Sequence, residues 1–225
     1  MEAKDVAAQE AVKLVKDGMI VGLGSGSTAA YAIKRIGERM HQEGLKICGV
    51  PTSSVTNQLA AELGIPLVDI RDPSRVDLTI DGADEVDPGL CLIKGGGGAL
   101  VREKLVAAAS NEVVIICDES KMKARLGAFP LPVSVVPFAW QSTLTRLREV
   151  CPAITLRQTP GGTDPYITDD GCYILDMHLG VIEHPSVLEQ QVKSITGVVD
   201  VGLFVGLATR IIVGHADGST VHYLK

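Results

Sequence analysis

The chain has 225 residues, of which 46% are hydrophobic and only 4% aromatic, and a chain of this length can bury a full core without disulfides or metals. Its 21 basic and 27 acidic residues give a net charge of −6, and the basic residues are scattered, which argues against a nucleic-acid-binding protein. No apolar run reaches the roughly 18 residues of a membrane span, so we expect no membrane partner.

The first residues and the cysteines indicate a cytoplasmic protein. The opening MEAKDVAAQEAVKLVKDG mixes both charge signs in a helical pattern, unlike a signal or transit peptide. The five cysteines include no C-x-x-C pair, so no zinc or redox motif is expected. We therefore predict reduced, structural thiols and a cytoplasmic location.

Strands and helices are predicted to alternate over the first half of the chain. Helical spacing predicts a first helix over 3–17 that ends at Gly18. Three further helices are predicted from their apolar stripes. The second helix has Ala29, Ile33, Ile36 and Met40, the third has Val55, Leu59 and Leu63, and the fourth has Leu100, Val101, Leu105, Val106 and Ala109. The predicted strands are 19–23, 45–50, 67–70, 76–80 and 113–117. Near-continuous apolar strands separated by helices indicate an α/β fold with a parallel sheet.

The pattern changes at FPLPVSVVP, residues 129–137, where three prolines bracket an extended segment. A helix at 140–149, a strand near Ile154, a hairpin turning at Asp170-Gly171, a helix at 185–195 and a strand at 198–201 are predicted to follow. The last residues predict two strands around an Asp217-Gly218 turn that return to the first sheet. We therefore predict a main α/β domain of residues 1–128 and 207–225 and a small α+β domain of residues 129–206.

The glycine-rich segment Gly22 to Thr28 lies between a predicted strand and a predicted helix. Glycines let the backbone approach a ligand, and a helix N-terminus offers N–H groups to a phosphate or a sugar hydroxyl. The segment lacks the lysine of a P-loop and the third glycine of a dinucleotide-binding motif. A tight turn with Ser27 as the helix N-cap is an equally open interpretation.

Four carboxylates occur within Asp81 to Asp87, directly after a predicted strand. Like charges so close together must be solvated, paired or partly protonated. The spacing does not fit an EF-hand, and no metal site is predicted. We favour a functional role for Asp81 and Asp84, with a solvated acidic turn as the alternative, and favour the turn for Glu85 and Asp87.

The segment Lys94 to Lys104 contains four consecutive glycines, which carry a large ordering cost and expose backbone amides. A flexible linker is the alternative interpretation, but an apolar stretch precedes the glycines and a helix follows them. Glu103 is expected near the first turn of that helix and off its apolar stripe, where a plain surface glutamate is also possible. Arg102 and Lys104 are expected to face solvent or a partner subunit.

A last polar segment, Asp118 to Lys121, follows the strand VVIIC. Lys121 is placed where its charge could reach a phosphate, and an exposed lysine is the alternative. The five histidines form no metal-binding pattern, and none is assigned a catalytic role.

In their order and spacing, VGLGSGSTA, TIDGADEVD, LIKGGGGALVREK and DESK resemble the A-type ribose-5-phosphate isomerase family. The resemblance implies a Rossmann-like parallel-sheet main domain with a smaller α+β domain, assembled as a homodimer or homotetramer. It also implies an isomerase of the non-oxidative pentose phosphate pathway that interconverts ribose 5-phosphate and ribulose 5-phosphate without metal or organic cofactor. The implied substrate-binding residues are Ser25, Gly26, Ser27, Thr28, Asp81, Gly82, Ala83, Asp84, Lys94, Gly95, Gly96, Gly97 and Lys121.

The resemblance implies that Glu103 is the catalytic base, and a carboxylate ionised at neutral pH suits that task. Lys94 and the glycine amides are expected to stabilise an enediolate, Asp81 to assist ring opening, and Asp84 to orient hydroxyl groups. Two alternatives remain: a non-catalytic sugar-phosphate sensor, and a related enzyme acting on another sugar phosphate or a coenzyme A ester.

Overall fold

The computed structural model describes residues 2–69 and 76–225, and the described chain divides into two compact units. The first unit takes the chain up to Ala83, together with Arg102–Met122 and Gly206–Lys225. The second takes Asp84–Val101 and Lys123–Val205. This division differs from the predicted domain boundaries, which gave residues 84–101 to the main domain.

The described residues form six α-helices and 13 strands, numbered in chain order. The helices are α1 (Ala3–Val12), α2 (Gly26–Glu43), α3 (Ser54–Glu62), α4 (Leu100–Ala108), α5 (Trp140–Leu147) and α6 (Pro185–Lys193). The strands are β1 (Ile20–Leu23), β2 (Cys48–Pro51), β3 (Val76–Asp81), β4 (Glu85–Val86), β5 (Leu92–Ile93), β6 (Ser110–Asp118), β7 (Leu131–Val135), β8 (Ile154–Leu156), β9 (Tyr173–Met177), β10 (Val198–Val201), β11 (Leu203–Phe204), β12 (Arg210–Gly214) and β13 (Thr220–Leu224). In the described ranges, no helix is long and apolar enough to cross a membrane.

Within the described residues, the first unit is built on a six-stranded sheet in the order β13-β12-β6-β3-β1-β2. All neighbouring pairs are parallel except β12 and β13, which form the predicted hairpin. The strand residues 113–117 are buried, as expected for a parallel strand covered on both faces. The parallel sheet confirms the predicted fold class, and ligands of such sheets bind at the carboxyl ends of the strands.

The first helix is shorter than predicted. Ala8, Ala11, Val12 and Val15 are all buried, as the spacing indicated. However, α1 ends at Val12, because Lys13, Leu14 and Val15 bond to carbonyls three residues back rather than four. Gly18 (φ 81°) follows this tighter turn and leads into β1.

Two predictions for residues 54–70 need correction. In α3, Val55 is exposed and the buried positions are Thr56 and Ala60, so the predicted stripe was rotated from the true buried face. The predicted strand at 67–70 is reduced to one bridge between Gly49 and Leu67, and Ile70 lies outside the described residues.

Within the described part of the second unit, one sheet has four antiparallel strands in the order β10-β7-β9-β8. The Asp170-Gly171 turn forms, with Gly171 at φ 72° and its N–H 2.9 Å from the Thr168 carbonyl. The predicted hairpin was wrong in its first arm: Ile167 is exposed and outside the strands, and β9 pairs instead with β7 and β8.

The second unit also contains a three-stranded sheet, β11-β5-β4, that the sequence analysis missed. Each of these strands has two residues, too few for a periodic pattern to reveal. This sheet matters because Asp84 immediately precedes β4 and Lys94 immediately follows β5.

Candidate functional site

Asp81 is the centre of the polar group in the first unit. It is only 2% exposed, and its Oδ1 accepts hydrogen bonds from the backbone N–H groups of Ser25 (3.0 Å) and Gly82 (2.7 Å). Gly24 permits this approach, because a Cβ there would stand 2.5 Å from the Asp81 Cα. The glycine-rich loop and the acidic segment therefore meet at the ends of β1 and β3, as expected from the parallel sheet.

A cluster of hydroxyl groups that the sequence analysis missed surrounds Ser25. The Ser25 Oγ lies 2.7 Å from the Thr52 Oγ1, 2.9 Å from the Ser53 Oγ and 3.3 Å from the Thr56 Oγ1. Thr52 and Thr56 are buried, and Ser53 caps α3 by accepting from the Thr56 N–H. The run of hydroxyl residues at 52–56 was the available signal, but nothing local ties it to Ser25.

The structure also corrects the alternative interpretation of the start of α2. Its N-cap is Ser25 rather than Ser27, and among the described residues the Ser25 side chain makes no capping bond. The Ser27 Oγ instead accepts from the Lys4 Nζ at 3.2 Å, so α1 supplies a cation beside the N-terminus of α2. Lys4 was not among the predicted site residues.

Lys121 ends a short 3₁₀ turn, Glu119–Lys121, that follows β6. The Asp118 carboxylate caps this turn by accepting from the Ser120 N–H at 2.9 Å. Burial acts to raise the pKa of Asp118, but the hydrogen bonds from Ser120 and the charges of Lys4 and Lys121 outweigh it and lower the pKa. Asp118 therefore stays ionised between two lysines that are 117 positions apart in the sequence.

Glu103 lies in the first turn of α4 and is 5% exposed. Glu103 was expected off the buried face of the helix, and Lys104 was expected to face solvent or a partner subunit. Both expectations were wrong: Lys104 is covered by its own chain and 8% exposed, whereas Leu105 is 65% exposed. The buried positions include Leu100, Glu103, Lys104 and Ala107, which follow i, i+3, i+4, i+7 spacing, and also Val106. The predicted apolar stripe was right for Leu100 and Val106 and wrong for Leu105, because two charged residues belong to the buried face.

In the second unit, Asp84 is joined to the glycine run. The Asp84 Oδ2 accepts from the Gly96 N–H at 2.7 Å, and the Asp84 N–H donates to the Ile93 carbonyl at 2.8 Å. A Cβ at position 96 would stand 2.5 Å from the Asp84 Oδ1, so this carboxylate approach requires glycine. Two motifs that the sequence separates are thus in direct contact.

Lys94 is 3% exposed and fixed at the end of β5. Its backbone N–H donates to the Gly202 carbonyl at 2.9 Å, and its Nζ lies 5.5 Å from the centre of the Phe204 ring, a cation–π distance. A buried ammonium group in this position provides a fixed positive charge.

The glycine run is an ordered turn rather than a flexible linker. Gly95 (φ 104°) and Gly98 (φ 85°) adopt conformations that favour glycine, and the Gly98 N–H donates to the Gly95 carbonyl at 3.0 Å. Two side chains from the α+β region, Arg157 and Tyr166, bind carbonyls of the run, and the sequence analysis had no signal for either.

The candidate residues therefore form two groups, one in each unit. Asp81, Ser25 and Gly82 are brought together in the first unit, and Asp84, Lys94 and Gly95 to Gly97 in the second. Within the described ranges, no group of three or more His, Cys, Asp or Glu side chains could hold a metal ion. The first group thus holds a buried carboxylate, and the second holds a half-buried carboxylate and a buried ammonium group.

Comparisons with known proteins agree with these motifs. A model of the ribose 5-phosphate isomerase A (phosphoriboisomerase A) family matches residues 48–218. The chain is 50% identical over 223 residues to the ribose-5-phosphate isomerase A of Cereibacter sphaeroides, covering 96% of this chain and 88% of that relative.

Solved structures give the same result. The structure of ribose 5-phosphate isomerase A from Methanocaldococcus jannaschii has a TM-score of 0.94 at 40% identity, covering 100% of this chain and 99% of that one. A D-ribose-5-phosphate isomerase in complex with phospho-erythronic acid has a TM-score of 0.95 at 36% identity, covering 100% and 98%.

Proposed function

The chain belongs to the ribose 5-phosphate isomerase A family and is an isomerase, and we propose that it interconverts D-ribose 5-phosphate and D-ribulose 5-phosphate through an enediolate. One observation carries the mechanism: the acidic segment contributes one buried ionisable side chain to it, Asp81, and the glycine-run segment contributes two, Lys94 and Glu103. Asp81, Lys94 and Glu103 are 2%, 3% and 5% exposed, and charged residues are almost never so buried without a partner or a task.

We assign the proton transfer to Glu103. Its carboxylate removes the hydrogen of carbon 2 as a proton, leaving an enediolate. The enediolate passes the proton of its O2 hydroxyl to O1, and the carboxylic acid of Glu103 then returns the first proton to carbon 1. One group performs both transfers, so no second base is required. Its place in the first turn of α4 and its burial support this role, because a side chain held by packing is already oriented for proton transfer.

We assign stabilisation of the enediolate oxygen to Lys94 and to the amides of the turn from Gly95 to Gly97, apart from the Gly96 N–H, which donates to Asp84. The fixed ammonium group and the ordered turn support this role, since donors that need no reorganisation stabilise developing charge best. Removal of one such donor typically lowers the rate by about 10² to 10³.

Asp81 and Asp84 are assigned to the sugar ring and its hydroxyl groups. Asp81 moves a proton between the ring oxygen and the anomeric hydroxyl during ring opening. Asp84 orients substrate hydroxyl groups, together with Gly82 and Ala83 beside it in the chain. The backbone bonds that hold Asp81 and the Gly96 bond that holds Asp84 support these roles, because an oriented carboxylate loses less freedom on binding.

The phosphate is assigned to Ser25 to Thr28, with Lys121 supplying charge. The N-terminus of α2 offers unpaired N–H groups, and Ser25 is held by the hydroxyl cluster. We further propose that the enzyme works without metal or organic cofactor, in the cytoplasm, as a homodimer or homotetramer. Sedimentation velocity measures the last of these directly.

The test compares ribulose 5-phosphate formation from ribose 5-phosphate, with EDTA present, by the unaltered chain and by Glu103→Gln. We expect the substitution to lower kcat by at least about 10³ while the variant still binds phospho-erythronic acid. The matched control is Glu85→Gln, which replaces another buried carboxylate that lies outside the proposed chemistry and should keep kcat.

Each other outcome has a definite meaning. An unaltered chain that binds ribose 5-phosphate without isomerising it would identify a sugar-phosphate sensor. A fully active Glu103→Gln would move the base to Asp81 or Asp84.

A further inference from the structure

Three successive carbonyl groups of the glycine run are bound by side chains from residues 157–166. The Arg157 Nη1 donates to the carbonyls of Gly95 (2.7 Å) and Gly96 (3.1 Å). The Tyr166 hydroxyl donates to the carbonyl of Gly97 at 3.3 Å. All of these residues belong to the second unit.

Arg157 is itself held firmly in place. Its Nε and Nη2 donate to the Asp176 carboxylate at 2.9 and 2.5 Å. The side chains of Arg157 and Asp176 are 16% and 15% exposed. The Arg157 backbone N–H donates to the Ile174 carbonyl and its carbonyl accepts from the Tyr166 N–H, each at 2.9 Å. The Asp176 carboxylate, on strand β9, thus orients the guanidinium group, whose Nη1 faces the glycine run.

Peptide planarity carries this orientation across the run. In a trans peptide the carbonyl and the following N–H point in opposite directions. The Gly95–Gly96 peptide accepts from Arg157 at one end and donates to Asp84 at the other. In the Gly96–Gly97 peptide, the bond from Arg157 directs the Gly97 N–H away from Arg157. A rotation of either peptide would break its bond to Arg157.

We propose that Arg157, oriented by Asp176, is a positioning residue. It holds the Gly96 N–H against Asp84 and directs the Gly97 N–H toward the reacting end of the substrate. The inference rests on the proposed function but adds residues outside the motifs that define it. Arg157 acts through the glycine run and does not itself touch the substrate. It keeps four glycines, which otherwise sample many conformations, in one orientation of their donors.

Arginine suits this task better than lysine. A guanidinium group has five donors in a rigid plane, so one edge can donate to a carboxylate while another donates to two carbonyl groups. An ammonium group has three donors around one atom and cannot span both sets. Arg157→Lys therefore keeps the charge but loses the connection between Asp176 and the glycine run.

The test compares Arg157→Lys with Arg35→Lys. Arg35 is the matched control, because it makes a similar two-bond pair with Asp5 (3.0 and 2.8 Å) in the other unit, away from the glycine run. We expect Arg157→Lys to lower kcat by about 10- to 100-fold and to change KM by less than about threefold. The inhibition constant of inorganic phosphate should stay within about twofold, since the phosphate residues are in the first unit. Arg35→Lys should match the unaltered chain in all three quantities.

A kcat for Arg157→Lys within about threefold of the unaltered value overturns the proposal, as does an equal loss of phosphate inhibition, which indicates general damage. If Arg157→Lys does not fold, Asp176→Asn decides the matter. That variant leaves every glycine contact in place but weakens the orienting pair, and we expect a kcat loss of about 3- to 10-fold with unchanged phosphate inhibition. An unchanged kcat there also overturns the proposal. If the unaltered chain and Arg35→Lys both lack isomerase activity, the proposed function itself fails.

Discussion

Glu85 shows how a buried carboxylate can serve structure alone. Its Oε2 accepts from the Gly127 N–H and its Oε1 from the Phe129 N–H, both at 2.7 Å, and the side chain is 1% exposed. A glutamine in this position presents an NH₂ group to one of these N–H donors. We expect Glu85→Gln to lower the free energy of unfolding by about 1 to 3 kcal/mol.

Urea denaturation measures this loss. Glu183→Gln is the control, because Glu183 is an exposed partner of Arg125 and its replacement should change stability by less than about 0.5 kcal/mol. Equal stability of the two variants would show that the two N–H bonds to Glu85 are unimportant.

Substitution of Gly96 is expected to lower activity and leave stability nearly unchanged, whereas substitution of Glu85 lowers stability. The φ angle of Gly96 is not positive, so its backbone conformation also suits alanine. However, the new Cβ would meet the Asp84 carboxylate. That carboxylate can rotate away. We expect Gly96→Ala to unfold within about 1 kcal/mol of the unaltered chain and to lose at least about tenfold in kcat/KM. Unchanged kinetics with Asp84 displaced would remove Asp84 from the mechanism.

The buried thiol of Cys117 is expected to make the free energy of unfolding depend on pH in the alkaline range. Burial, reinforced by the charge of Asp118 and opposed by Lys121, raises the pKa of its thiol from 9.0 to about 12. The folded chain keeps this proton when the unfolded chain loses it, so stability is complete below pH 9 and falls as the pH rises toward about 12. The contribution is at most about 1.4 kcal/mol per pH unit.

Denaturation in urea at pH 8, 9 and 10 checks this dependence. Cys117→Ala should show a shallower decline than the unaltered chain, even though it is less stable at every pH because of the cavity. Parallel declines would assign the pH dependence to other groups.

The sequence pointed to the candidate site residues more readily than to the residues that hold them in place. Asp81 and Asp84 were recognisable because four carboxylates lie within seven residues after a predicted strand, and Lys94 because four glycines follow it. Thr52, Thr56 and Arg157 were not, because each acts on a residue more than 25 positions away and leaves no local pattern. Lys104 was misplaced because hydrophobic periodicity assigns charged residues to the solvent face.

At the scale of elements, long strands and helices were predictable and short ones were not. β6 and α2 stand out because nine and 18 residues give a pattern room to repeat. The two-residue strands β4, β5 and β11 are defined by pairing alone. The buried face of α3 is set by Thr56 and Ala60, which apolar spacing does not identify.

The packing of α1 on β12 depends on one glycine. A Cβ on Gly214 would stand 2.1 Å from the Ala3 carbonyl oxygen and 2.8 Å from the Ala7 nitrogen, and neither backbone atom can rotate away. We expect Gly214→Ala to cost about 3 kcal/mol. Gly218→Ala, at a turn with φ 90° and no described atom within 4 Å, should cost only about 1 kcal/mol.

Thermal unfolding of the two variants, followed by circular dichroism, makes this comparison. A smaller loss for Gly214→Ala than for Gly218→Ala would show that α1 moves off β12 at little cost.

At the scale of the whole molecule, the first unit depends on residues that are distant in the chain. β12 lies between β13 and β6, so residues 210–224 complete a sheet whose other strands end at Asp118. We expect a chain that ends after Val205 to lose protection from hydrogen exchange in β3 and β6 while β7 and β9 stay protected. Equal protection of all four strands would show that β12 is dispensable.

This discontinuity has a consequence for biosynthesis. The ribosome adds residues at about 5 to 20 per second, and domains made first usually fold first. Here the segments 84–101 and 123–205 of the second unit are complete before 206–225 emerge. The unit that contains the first residues of the sequence is therefore the last to be finished. Until then the nascent chain exposes the open edge of β6, and an open strand edge is a template for aggregation.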